Sequence, residues 1–335
     1  MDRVGCPGAN ARLRLALRGD AMMKSKSQHV RFLSKLALLT GTTVLALVLS
    51  SLAHAQQKFN TPDAAVEALV AAARSGDRRT VVSILGPGSQ ELVSSGDPVE
   101  DENIKKEFLT AYDAQHRIVS ESGKPSVLVI GQNEWPFPIP LAQRDGQWSF
   151  DTAAGREEIL ARRIGRNELG ALKAALAYWD AQNEYADMFK DKNGQAVYAQ
   201  KIVSSPGKKD GLYWPTSGSE PDSPLGEAVA AATQRGYRVG SGEPYHGYYF
   251  RILTSQGPNA PGGAVDYVVR GNMIGGFGLV AFPAEYGNSG IMTFIINNDG
   301  DIYEKDLGPR TERIGSRMTS FNPDHTWRKV VDTEK

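Results

Sequence analysis

The chain has 335 residues, with 38 Lys or Arg, 38 Asp or Glu and one cysteine. Setting aside residues 1–55, which hold eight basic and two acidic side chains, leaves 30 basic against 36 acidic groups, a formal charge near −6. That balance argues against nucleic acid, which requires a basic stripe, and disfavours a general affinity for anionic lipid. The cysteine, Cys6, falls in the set-aside segment, so residues 56–335 form no disulfide and depend on burial and hydrogen bonds.

Residues 1–55 read as an upstream segment and a cleaved secretory signal peptide, with translation expected to start at Met22 or Met23. Lys24, Lys26, Arg31 and Lys35 form a basic start, residues 36–49 an apolar run, and Ala53-His54-Ala55 a small-x-small cleavage site that frees Gln56. The apolar run is 14 residues long, short of the ~20 that cross a bilayer as a helix. The expectation is export to the periplasm or beyond, with no stable membrane anchor after cleavage.

Residues 56–155 predict a small α+β unit. Thr61-Pro62 is a helix start, and Ala65, Val66, Leu69 and Val70 recur on one face. The apolar face continues through Val81, Val82, Ile84 and Leu85 until Gly86-Pro87-Gly88, and a further helix is expected over 104–118. β-type runs follow at 126–130 and 139–144, with Asp145-Gly146 as a hairpin turn before 147–150. Trp135 with Pro136, Pro138 and Pro140 reads as a proline-protected edge strand or a partner-binding strand.

Residues 156–335 predict a long helix, 156 to about 190, packed on an antiparallel sheet. Ile164, Leu169, Leu172, Leu176, Trp179, Ala186 and Phe189 are its expected buried stripe, and Gly165 and Gly170 weaken its first half. Tyr178, Trp179 and Tyr185 read as packing aromatics. A Gly/Pro/Ser-rich loop over 204–226 precedes strands at 248–254, 264–270, 278–282, 291–297 and 301–305, with Asp299-Gly300 as a hairpin turn. Helices followed by antiparallel strands make an α+β order, without parallel βαβ units.

Five segments carry a family resemblance: 135–140 (WPFPIP), 162–168 (RRIGRNE), 245–250 (YHGYYF), 282–294 (FPAEYGNSGIMTF) and 304–309 (EKDLGP). Together they resemble the domain-of-unknown-function 2950 family of exported bacterial proteins, over nearly all of the chain after the leader. The resemblance implies export and no particular activity. The order of long helix, variable loop and antiparallel sheet is also similar, at fold level, to the globular part of type IV pilin-like proteins.

The chemistry-bearing residues gather in two segments. Tyr245, His246, Tyr248 and Tyr249 lie among glycines that let a backbone approach a ligand, and Glu285, Tyr286 and Ser289 lie in a second loop expected at the same sheet end. Two function classes fit them. The first is a non-catalytic binding or assembly module that contacts an envelope protein, peptide or glycan through these tyrosines. The alternative is an envelope-acting hydrolase with His246 as general base beside Glu285 and Ser289 as nucleophile. Turn residues that simply close a sheet would look the same in sequence.

No cofactor or metal is expected. Gly275-Gly276-Phe277-Gly278 lacks the Lys-Ser/Thr and following helix of a P-loop and reads as a bend in a sheet. Asn297, Asp299, Asp301, Glu304 and Asp306 lack the glycine placement of an EF-hand and read as acids around a turn. Three scattered histidines, His116, His246 and His325, give no zinc spacing. Arg162, Arg163 and Arg166 read as an interdomain or solvated face paired with Glu157, Glu158 and Glu168, in preference to an anion site. Nothing in the sequence fixes an oligomeric state.

Overall fold

The computed structural model describes residues 56–122, 124–217 and 221–330, which gather into one compact unit. The expected signal peptide and its cleavage residues Ala53 and Ala55 lie outside the described residues. No helix among the described residues is long and apolar enough to cross a membrane.

The fold is α+β. Helix α1 (Pro62–Ser75) begins as its sequence dictates: the Thr61 hydroxyl accepts the Ala64 N–H at 3.1 Å, Pro62 fills the first turn, and Gly76 closes the helix at φ 71°. Asp77 caps α2 (Arg78–Leu85), and α3 (Gln90–Val93) leads to α4 (Pro98–Ala114), capped by Asp97. The helix expected to reach residue 118 stops at Ala114. Ile118 and Val119 belong instead to β1 (His116–Val119), where β-branched side chains suit the ladder with β2 (Val127–Ile130). Strand β3 (Trp135–Pro136) pairs with the other side of β2 and is an edge strand. Strands β4 (Leu141–Arg144) and β5 (Gln147–Phe150) form the expected hairpin, with Asp145 and Gly146 at φ 53° and 77°. These elements enclose one core, centred on Ala65, Leu69, Ile84, Leu128, Leu141 and Phe150.

Helix α5 (Thr152–Met188) is 37 residues long and starts four residues before Arg156, because Asp151 caps it through the Ala154 N–H. Its buried stripe is rotated from the expected one. Arg163, Asn167, Ala171, Ala175, Tyr178, Gln182 and Tyr185 face inward, whereas Leu169 and Leu176 are 61% and 45% exposed. Alanines let the helix lie close to its sheet, and the inward polar groups reach backbone: Tyr178 Oη donates to Gly278 O at 3.1 Å, and Gln182 exchanges hydrogen bonds with both backbone groups of Ala199. The three aromatics pack as their positions suggested, Tyr178 and Tyr185 in the core and Trp179 donating to Asn298 O.

A short helix, α6 (Gly226–Gln234), ends the variable loop. The remaining chain runs through β6 (Tyr248–Leu253), β7 (Ser255–Gln256), β8 (Val265–Asp266), β9 (Val268–Val269), β10 (Asn272–Met273), β11 (Gly278–Pro283), β12 (Met292–Asn297), β13 (Ile302–Asp306), α7 (Thr311–Gly315), β14 (Ser320–Phe321) and β15 (Arg328–Lys329). The main sheet is antiparallel throughout, in the order β15-β13-β12-β11-β6. The single run expected over 264–270 is split between β8 and β9, which belong to two small satellite sheets. On one face of the main sheet Leu279, Ala281, Phe294 and Ile296 pack with α5; on the other Val280, Phe282 and Ile295 pack with Leu253 and Phe321. Burying each such Leu, Ile or Phe contributes about 1.5–3 kcal/mol.

Candidate functional site

The segment before β6 is shaped by two consecutive left-handed residues. His246 and Gly247 have φ of 50° and 72°, and the backbones of Tyr245 and Tyr248 exchange hydrogen bonds of 2.9 and 3.1 Å across them. This is a two-residue hairpin turn, and the non-glycine at φ 50° carries the imidazole. Gly247 has no room for a side chain, since a Cβ there would meet Asn167 Nδ2 at 2.6 Å. The His246 ring lies over Gly170 of α5 and beside the rings of Tyr245 and Tyr237, at 4.3 and 5.8 Å between centroids. Burial lowers its pKa below the ordinary histidine value. Glu100 and Asp97 oppose that shift, while Arg235 and Arg166 reinforce it.

His246 and Tyr245 form one wall of a cavity of about 390 Å³. Ala174 and Ala177 of α5, Val229 and Ala232 of α6, and Phe250 and Leu279 of the sheet supply an apolar lining. The mouth is polar: Arg238 pairs with Glu243 at 3.2 Å, Ser241 also donates to Glu243, and Lys173 stands on the α5 side. A concave, mostly apolar space of a few hundred Å³ with a few polar groups is the usual form of a small-molecule site.

The other nominated residues do not line this cavity. Tyr248 is fully buried and donates to Met292 O at 2.9 Å, and Tyr249 packs on Phe282 across the sheet. Tyr286 donates to Asp306 at 3.1 Å. Ser289 is fully buried, its hydroxyl accepting the Glu285 N–H at 2.9 Å and donating to Glu285 O at 3.2 Å. The Glu285 carboxylate accepts from Asn288 Nδ2 at 2.7 Å and lies against Gly96. The two loops do meet at one sheet end, where the Ala284 N–H donates to Gly247 O. Among the described residues, however, no hydrogen bond joins the His246 ring to Glu285 or Ser289.

What ties the His246 turn in place is a polar network whose centre, Asp97 and Glu100, the sequence did not single out. Asp97 Oδ2 accepts from Tyr237 Oη and from the Gly247 N–H, both at 2.9 Å, while its Oδ1 caps α4. Glu100, buried like Arg163, faces Arg235 at 3.1 Å and Arg166 at 3.6 Å. Arg163, 5% exposed, donates to Glu91 O, Leu92 O and Asn288 Oδ1. Of the expected pairs on this helix, Arg162 does meet Glu158, at 2.6 Å. Glu168 instead accepts the Ile291 and Met292 N–H groups at 3.1 and 3.0 Å. The available signal was Asp97-Pro98, an N-cap followed by proline.

The acids around the Asp299 turn are engaged locally: Asn297 donates to Asp299, Lys329 pairs with Asp301 and Arg328 with Glu304.

Fold and site together define an α+β protein in which one long helix spans two cores and walls a ligand-sized cavity. The chain belongs to the family described as "Protein of unknown function (DUF2950)", whose model matches residues 56–330. No curated protein and no solved structure matches it.

Proposed function

We propose that this chain is an exported, non-catalytic binding module that holds a small, largely apolar ligand in the cavity walled by Tyr245 and His246. The observation that carries the reading is the cavity itself, about 390 Å³ lined mostly by alanine, valine, leucine and aromatic side chains. A lowered pKa favours the neutral imidazole, which offers one donor and one acceptor to a ligand in a mostly apolar space. The hydrogen bonds of Ser289 and Glu285 are spent on closing their own loop, which favours binding over hydrolysis. Export rests on the leader sequence.

The test is a small-molecule screen by ligand-observed NMR, repeated with Ala177→Trp, which fills the cavity from a half-buried position. Saturable binding that weakens at least about tenfold in the variant, with an unchanged urea midpoint, is the expected result. Ligands indifferent to Ala177→Trp would refute the site. An ester, peptide or glycan hydrolysis rate that collapses in His246→Ala would refute the non-catalytic reading. Recovery of the protein from the envelope or medium with Gln56 as its first residue is the expected result for export; retention inside the cell with residues 1–55 intact would refute it.

A further inference from the structure

A second cavity, of about 690 Å³, opens in the N-terminal half, away from the Tyr245 turn. Its floor is that half's own core left partly uncovered: Val81, Leu92, Val93, Phe108, Phe137 and Ile159 are only partly buried. A continuous concave apolar surface of this kind is a mark of a binding groove. Trp135, 40% exposed, stands at its edge with the Arg162 guanidinium 5.9 Å from its ring centroid.

The charge of the lining runs against that of the chain. Arg78, Lys105, Arg162, Arg163 and Arg166 line the groove against three acids, Asp101, Glu102 and Glu107, although residues 56–335 are net acidic. Three of these cations have a carboxylate partner: Lys105 with Glu102, Arg162 with Glu158 and Arg166 with Glu100. Two, Arg78 and Arg163, have no carboxylate oxygen within ion-pair distance among the described residues. Arg78 donates to Ser94 Oγ at 3.3 Å, and the deeply buried Arg163 donates to two carbonyls and an amide oxygen. Two acids act on Arg163 from further off: Asp101, which has both oxygens on the Ser95 N–H at 3.0 and 3.2 Å, and Glu285, which accepts from the same amide, that of Asn288. A buried guanidinium whose hydrogen bonds all end on neutral oxygens still gains from an anion at hydrogen-bond distance.

We infer that this groove is a second binding site, for an amphipathic anion whose apolar body lies along Val81, Phe108 and Ile159 and whose head meets Arg78 and Arg163. The experiment is isothermal titration of the full chain with decanoate, decyl phosphate and decyltrimethylammonium, each below its micellar concentration. At least one anion is expected to bind saturably and at least about tenfold tighter than the cation, the tighter one identifying the head group. Ala73→Trp, which projects into the groove from α1, is expected to weaken the anion at least about tenfold. Arg78→Gln, an exposed change that leaves the fold alone, is expected to weaken the anions by about fivefold and the cation not at all. Ala177→Trp, in the other cavity, is expected to leave all three isotherms unchanged. Absence of saturable binding, equal affinity for the cation, or loss in Ala177→Trp in place of Ala73→Trp would overturn the inference. The first two results leave the Tyr245 cavity reading intact, so the two fail separately.

Discussion

His246 occupies a backbone conformation that few side chains tolerate and a packing site that disfavours its charged form. The two facts are linked, because the left-handed turn sets the ring against α5, where Gly170 leaves space for it. The consequence for stability has a definite sign. With its folded pKa below the unfolded value near 6.5, the unfolded chain takes up the proton first as pH falls. The contribution of a neutral His246 is therefore complete above pH 6.5 and is lost as pH drops through the unfolded pKa toward the folded one. Urea midpoints measured between pH 7.5 and 5.5 should fall for the natural chain and fall less for His246→Asn, which accepts the same backbone geometry without titrating. Parallel curves would mean that His246 ionises as freely in the fold as out of it.

At the scale of elements, α5 carries two glycines that look alike in sequence and differ in place. Gly165 is exposed, and a Cβ added there would have nothing within 4 Å, so Gly165→Ala should stabilise the protein by about 0.5–1 kcal/mol through helix propensity. At Gly170 the same carbon would sit 3.0 Å from His246 Cβ and Cγ. Gly170→Ala is expected to forfeit that gain and weaken ligand binding by displacing the His246 wall, with chemical denaturation and the NMR screen as the two readouts. Equal stabilisation by both substitutions would show that the ring yields freely. This contrast also marks what sequence could reveal. The start of α1 at Thr61-Pro62, the Asp145-Gly146 hairpin and the main-sheet strands rest on local signals, and they were legible. The inward face of α5 was not, because periodicity ranks leucine above alanine, arginine and asparagine, while close packing and loop capping selected the latter. Helix α6 was missed for a related reason: it is nine residues long, and Leu225 caps it without a side-chain hydrogen bond. The Tyr245 and His246 half of the cavity was visible as a motif. Its other walls, drawn from α5, α6 and β11, become neighbours only in three dimensions.

For the molecule as a whole, Asp97 is the carboxylate that ties the N-terminal core to the His246 turn, beside the Glu100–Arg235 pair. Asp97 is 1% exposed, begins α4, and holds both Tyr237 and the Gly247 backbone, which lie some 140 and 150 residues further along the chain. Asp97→Ala would leave a helix-start N–H, a tyrosine hydroxyl and a turn N–H without their acceptor. At about 1–3 kcal/mol for each buried group left unpaired, and with partial relief from water, the expected loss is about 3–5 kcal/mol. Asp97→Asn keeps one acceptor oxygen and should cost less. The location of the loss matters as much as its size, because a general weakening would lower a single cooperative transition. Loss of a tie between two cores should instead let the N-terminal helices and the C-terminal sheet unfold apart. Far-UV circular dichroism and tryptophan fluorescence, which coincide when unfolding is all-or-none, should separate in Asp97→Ala. The same variant should weaken a cavity ligand even though Asp97 does not line the cavity, since the His246 turn that walls it hangs on the Gly247 N–H. Coincident transitions together with undiminished ligand affinity would place the coupling elsewhere and reduce Asp97 to the cap of its own helix.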